Sequence, residues 1–163
     1  MTVIHPIPPV CPDVPRVLIL GSFPSVKSRE TAFFYGHPQN RFWRVLSRLL
    51  AEPLPGTVEQ KRSLLLRHGV ALWDVIARCE IEGSRDSSIR NAVPNDLSPL
   101  LSRHPHLPVF TNGKTADALY RRLLFPVTGI PARCLPSTSP ANAACREDDL
   151  CRLWGEALLP YLS

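Results

Sequence analysis

Arg16-Val17-Leu18-Ile19-Leu20-Gly21-Ser22-Phe23-Pro24-Ser25 is the stretch on which the reading of this chain turns. The run from Val17 to Leu20 is apolar without alternation. Both faces of such a segment must be covered, which is the mark of a buried parallel strand. Gly21 ends the strand, and the small residues after it read as a tight turn at its carboxyl end. A second informative run follows: Tyr35-Gly36-His37-Pro38-Gln39-Asn40-Arg41-Phe42-Trp43. It holds a candidate catalytic amide, a histidine, aromatics and the start of a basic helix.

Outward from these runs the strand–helix pattern repeats. A loop is expected over 22–37, then a helix beginning near His37 or Pro38, since proline suits a first helical turn. Phe42, Val45, Leu46, Leu49 and Leu50 recur at helical spacing on one side of it and Arg41, Arg44 and Arg48 on the other. Thr57 and Gln60 have the spacing of a capping box for a helix that ends at Gly69. Val70-Ala71-Leu72-Trp73 reads as a second strand closing at Asp74, and residues 80–96 read as polar and irregular. A helix around 96–103 leads to a third strand, Pro108-Val109-Phe110-Thr111. Asn112-Gly113-Lys114 opens another helix, and a fourth strand lies near Arg133-Cys134-Leu135. The last helix carries an apolar stripe of Leu150, Leu153, Trp154, Ala157, Leu158 and Tyr161. Strand–helix repetition implies an α/β fold with a parallel sheet and helices on both faces. The expected architecture is a three-layer α/β/α sandwich around four parallel strands, formed by residues 1–163 as a single domain. Sites in such folds lie at the carboxyl ends of the strands. The 21–25 turn, Asp74, the Asn112-Gly113 turn and the loop Pro136-Ser137-Thr138-Ser139-Pro140-Ala141-Asn142 all fall there.

Charge is unevenly distributed. Residues 1–67 carry nine Lys/Arg against four Asp/Glu, whereas residues 68–163 carry ten of each. The excess of +5 therefore lies in the half that holds both runs. A basic field beside a site attracts anions, and nucleic acid is the obvious one. No apolar stretch approaches the ~18 residues of a membrane span, and the N-terminus lacks the features of a signal peptide. The expected location is cytoplasmic. The five cysteines contain no C-x-x-C pair, so a metal site or disulfide framework is not expected.

The GSFPS turn, the GHPQNRFW run and the SPAN segment of the late loop, in that order and each near a strand end, resemble the uracil-DNA glycosylase superfamily. They are similar in particular to its hypoxanthine-DNA glycosylase branch, and the likeness runs from Val17 to the last helix. It implies a monofunctional DNA N-glycosylase of base excision repair, acting without metal or cofactor on DNA that contains a deaminated base, hypoxanthine above all, as a monomer. One departure matters. The mismatch-specific branch has an asparagine in the first turn, where this chain has Phe23, which can neither orient water nor take a proton. The resemblance therefore implies that Asn40 is the catalytic residue.

Such an enzyme must hold a flipped base, stabilise charge on it as it leaves, and place a water at C1′. Asn40 is read as the amide that positions the water, accepting from it while donating elsewhere. His37 is read as a second catalytic residue, donating to base or phosphate, or else as a helix cap. Gly21, Ser22, Phe23, Pro24, Ser25, Tyr35 and Asn112 are the expected base pocket, with Phe23 and Tyr35 as stacking candidates. Ser139, Pro140, Ala141, Asn142, Arg41 and Lys114 are the expected DNA contacts. Asp74 and Asp86 are the carboxylates available as a general base. Competing readings are a uracil or G:T/U mismatch glycosylase and a non-catalytic module that binds DNA or free bases.

Overall fold

The structure, a computed structural model, describes residues 2–162. Its strands are β1 (Thr2–Ile4), β2 (Val17–Gly21), β3 (Val70–Asp74), β4 (Ile76–Glu80), β5 (Arg90–Pro94), β6 (Val109–Asn112) and β7 (Ala132–Leu135). The helices are α1 (Val26–Thr31), α2 (Phe42–Leu49), α3 (Val58–His68), α4 (Ser98–Arg103), α5 (Lys114–Leu119), α6 (Phe125–Thr128) and α7 (Glu147–Leu162), with a π-helical turn over Tyr120–Leu124 joining α5 to α6.

The expected parallel sheet is present, in the order β3-β2-β6-β7. β2 lies inside it, with Ile19 opposite both Leu72 and Phe110. Successive side chains on a strand point to opposite faces. Val17 and Ile19 accordingly enter one core, with α2, α3 and α7, while Leu18 and Leu20 enter the other, with α4 and α5. All four are fully buried, which accounts for the unbroken apolar run. Helices on both faces complete the three layers.

Three features differ from the sequence reading. First, part of the 80–96 segment is ordered as strand: β4 and β5 pair antiparallel, and β1 adds to them to make a second sheet, β1-β4-β5. A single residue, Val75, separates β3 from β4, so the chain passes from one sheet straight into the next. Second, the 22–37 loop contains α1, capped by Ser25, whose hydroxyl accepts from the Ser28 N–H at 3.1 Å. Third, α2 starts at Phe42, later than the start near His37 or Pro38 expected from the proline, and Asn40 Oδ1 accepts the Phe42 N–H at 2.9 Å where the helix opens. Elsewhere, the capping box of α3 forms with both of its bonds, and Gly69 follows in the left-handed region at φ 73°.

Candidate active site

A cavity of about 250 Å³ opens at the carboxyl ends of the parallel strands. That is small beside the ~300–1,000 Å³ of sites for drug-sized ligands, and suits one heterocycle. Its wall includes Gly21, Ser22, Phe23, Pro24 and Ser25 from the turn after β2, and Tyr35, His37 and Asn40 from the run before α2. Asp74 ends β3, Asn112 ends β6, and Asp86 reaches in from the turn before β5. Ser137, Thr138, Ser139 and Pro140 close it from the loop after β7. Every expected catalytic and base-pocket residue therefore converges here. Of the expected DNA contacts, Ser139 and Pro140 line the cavity, whereas Ala141, Asn142, Arg41 and Lys114 stand outside its wall.

Two asparagines and a threonine at the centre of the site form a chain whose direction is fixed. The Thr138 N–H donates to Asn112 Oδ1 at 3.1 Å, so the Asn112 amide nitrogen must face the other way, and it donates to Thr138 Oγ1 at 3.0 Å. The threonine hydroxyl then donates to Asn40 Oδ1 at 2.8 Å. The Phe42 N–H, donating to the same oxygen, pins it from the other side. Two backbone N–H groups thus set the orientation of both side-chain amides. Asn40 Oδ1 is doubly occupied, and the Asn40 NH₂ is the group left for a ligand. This corrects the expectation that Asn40 accepts from a water: the oxygen that would do so is taken. Thr138 is fully buried and was missed in the sequence, where a threonine between two serines in a loop gives no sign of facing inward.

Arg41 holds the late loop. Its guanidinium donates to the carbonyls of Cys145, of Ser139 at 2.9 Å and of Asn142 at 3.1 Å. Its backbone N–H donates to the Thr138 carbonyl at 3.0 Å. Arg41, expected among the DNA contacts, is thus engaged in shaping the loop. Asn142 also serves the loop, donating to the Ser137 carbonyl at 3.0 Å, and buried Trp154 of α7 donates to the Pro136 carbonyl at 2.9 Å. Arg44 pairs with Glu147 at 2.6 Å, and Arg48 pairs with Glu147 at 3.3 Å and Asp148 at 3.1 Å. The basic face of α2 is therefore largely neutralised by the start of α7. Lys114 is exposed at the start of α5.

The opposite wall is acidic. Asp74 is buried, and its Oδ2 lies 2.8 Å from His5 Nε2. His5 Nδ1 accepts the Ile7 N–H at 3.1 Å, so the proton of the neutral ring sits on Nε2 and is donated to Asp74. His5 was missed in the sequence because its partner is 69 residues away. Asp74 Oδ1 takes no hydrogen bond from the described residues. It stands over Gly21, where a Cβ would come within 2.3 Å of it, so only glycine fits. Asp86 belongs to an exposed turn, but its carboxyl is partly enclosed and accepts from the Ser22 hydroxyl at 2.9 Å. Desolvation there pushes its pKa up, aided by the Asp74 charge and opposed by the Ser22 bond.

Tyr35 lies between these groups. Its backbone is in the left-handed region at φ 52°, and its ring stacks on Phe42 with centroids 4.2 Å apart. The hydroxyl is buried and, among the described residues, is the one buried side-chain polar atom without a hydrogen-bond partner. Burial first and the Asp74 charge second raise its pKa, and nearby Asn112 acts the other way. Phe23 is buried against His5 and under the Arg29 guanidinium, so it is core and pocket wall at once. His37 is exposed at the rim, its Nδ1 accepting the Gln39 N–H at 3.1 Å.

The profile of the uracil DNA glycosylase superfamily matches residues 8–158. A protein of Methanosarcina acetivorans named hypoxanthine DNA glycosylase is 37% identical over 137 residues, 83% of this chain and 85% of that one. Its namesake from Methanosarcina barkeri is 36% identical over the same shares. The solution NMR structure of a candidate uracil DNA glycosylase from M. acetivorans superposes with a TM-score of 0.81 at 32% identity, covering 99% of both chains. The cavity at the strand ends, the ordered runs that wall it and these likenesses agree: the chain belongs to the uracil DNA glycosylase superfamily.

Proposed function

We propose that this protein is a monofunctional DNA glycosylase that excises hypoxanthine, the deaminated form of adenine, from DNA, with Asn40 positioning the attacking water. The observation that carries the reading is the fixed chain from Asn112 through Thr138 to Asn40, which leaves the Asn40 NH₂ as the free end. Both Methanosarcina relatives are named for hypoxanthine, which supports that substrate.

In the reaction the bond between C1′ and the base nitrogen breaks, and its electron pair leaves with the base. A C1′–O bond forms to water, and one water proton passes to solvent or to the departing base. The Asn40 NH₂ donates to a lone pair of that water and holds its other lone pair toward C1′. With Oδ1 occupied, Asn40 orients the water and is not its base. The Ser139–Pro140 rim and His37 face the strand outside the cavity, and His37 donates there to phosphate or base. No helix among the described residues is long and apolar enough to cross a membrane. We take the enzyme to be a cytoplasmic monomer.

The test is a glycosylase assay on end-labelled oligonucleotides carrying hypoxanthine, uracil or no lesion, with alkali to cut at abasic sites. Scission at hypoxanthine is expected to exceed that at uracil. Asn40→Ala is expected to lose product formation by roughly a hundredfold or more while still binding lesion DNA. Scission mainly at uracil would move the protein to a uracil-directed activity, and full activity in Asn40→Ala would remove Asn40 from the chemistry.

A further inference from the structure

Water positioning does not explain the acidic wall. Taking a carboxylate out of water is costly unless it is fully paired, yet Asp74 is satisfied on Oδ2 alone, by a neutral imidazole. Its other oxygen reaches the cavity above a glycine that has no room for a Cβ. The Tyr35 hydroxyl comes within 3.0 Å of that same Cβ position and is also unpaired. An acceptor and a donor thus stand beside the same point over Gly21, both on residues that line the cavity and neither with a hydrogen-bond partner among the described residues. The phenol stays protonated because burial and the neighbouring carboxylate oppose its ionisation, and the carboxylate can only accept.

A ligand that completes this pair must carry a donor beside an acceptor. The lactam edge of a deaminated base does so: hypoxanthine presents N1–H next to O6. Adenine presents the reverse, an N1 lone pair beside an amino group, and would set that lone pair against the carboxylate. We infer that Asp74 and Tyr35 read the lactam edge of the flipped base, Asp74 Oδ1 accepting from N1–H and the Tyr35 hydroxyl donating to O6, and that this pair is what rejects adenine. The inference rests on the reading of the protein as a base-excising enzyme. Uracil carries the same edge at N3–H and O4, so the pair separates deaminated from normal bases and leaves the choice among deaminated bases to the shape of the cavity. As the base leaves with negative charge, the tyrosine hydroxyl at O6 stabilises it and offsets the nearby carboxylate.

Asp74→Asn gives a directional test. The His5 Nε2–H holds the oxygen of the new amide on its own side, so the NH₂ replaces Oδ1 and faces the cavity. Donor then meets donor at N1–H. Excision of hypoxanthine is expected to fall by about a hundredfold or more, while the ratio of adenine to hypoxanthine excision rises. A change on the substrate side asks the same question without altering the protein: 1-methylhypoxanthine in DNA lacks the N1–H and should be cut at least roughly a hundredfold more slowly by the unmodified enzyme. If hypoxanthine is cut normally but Asp74→Asn keeps the original preference, or if 1-methylhypoxanthine is cut as fast as hypoxanthine, the lactam reading is overturned and the activity stands. If the unmodified enzyme cuts no substrate, the activity fails. The lactam reading is then judged by calorimetric titration with the free bases, where tighter binding of hypoxanthine than of adenine supports it and equal or reversed affinity overturns it.

Discussion

Asp74 and Asp86 face one cavity but are held in opposite ways. Asp74 ends β3, an edge strand of the parallel sheet, is 3% exposed, and is fixed by His5, 69 residues before it. Asp86 sits in an exposed turn, and its carboxylate accepts from the hydroxyl of Ser22. The first is anchored by the sheet and by His5, so its geometry is set before any ligand arrives. The second depends on a local turn, and burial of its carboxyl works against its charge. A site can therefore carry a rigid acceptor and a titrating one a short distance apart, the difference coming from what stands behind each.

The largest expected effect comes from breaking the rigid member. Gly21→Ala would drive a Cβ to 2.3 Å from Asp74 Oδ1. The carboxylate cannot swing away, because Oδ2 is bound to His5. Base excision should drop by roughly a hundredfold or more, with a loss of about 1–3 kcal/mol in chemical denaturation, as for other overpacked cores. Near-normal activity would mean that Asp74 can move after all. Next is His5→Ala, which leaves Asp74 Oδ2 buried without a donor. Losing a hydrogen bond to a charged group should cost about 1.5–3 kcal/mol, seen as a lower melting temperature. Hypoxanthine excision should also weaken, and Asp74→Asn made in the same background should no longer give a directed preference for adenine. An unchanged melting temperature would show that the pair contributes nothing to stability.

The smallest effect concerns the titrating member. Because the folded pKa of Asp86 is raised, the folded state binds its proton more tightly than the unfolded state does. Its contribution to stability is full below the unfolded pKa and is lost as pH rises through the folded value. Asp86→Asn should remove this part of the pH dependence, so that its melting temperature relative to the parent improves as pH rises through the acid range. Melting curves from pH 3 to 6 would check the sign, and a parallel pair of profiles would contradict it.

The contrast also marks how much could be read from the sequence. The parallel sheet was legible because its strands are continuous apolar runs, and α3 was legible because its capping box and Gly69 punctuate it. The antiparallel sheet was not. β4 mixes Arg78 and Glu80 with apolar residues, its pairing with β5 shifts register twice, and β1 joins it across most of the preceding chain. α1 is six residues long, too short to show a period. In the site, strand-end logic pointed to Gly21, Asn112 and the late loop, which line one cavity. Side-chain direction was not legible: Asn40 presents its nitrogen, and Arg41 turns from the surface to the loop carbonyls, because both answer to Thr138 and its neighbours almost a hundred residues further on.

His5 gives the N-terminal arm an unusual standing. The arm is attached by the short pairing of β1 with β4, by the His5 N–H to the Ala77 carbonyl, and by a bridge between Val10 and Leu72. Loss of the segment through His5 would leave every strand of the parallel sheet intact and still remove the group that holds Asp74. Protein that has lost His5 would keep the parallel sheet that spectroscopy reads and yet choose its bases differently, so the integrity of the segment around His5 belongs among the quality controls for any assay of specificity.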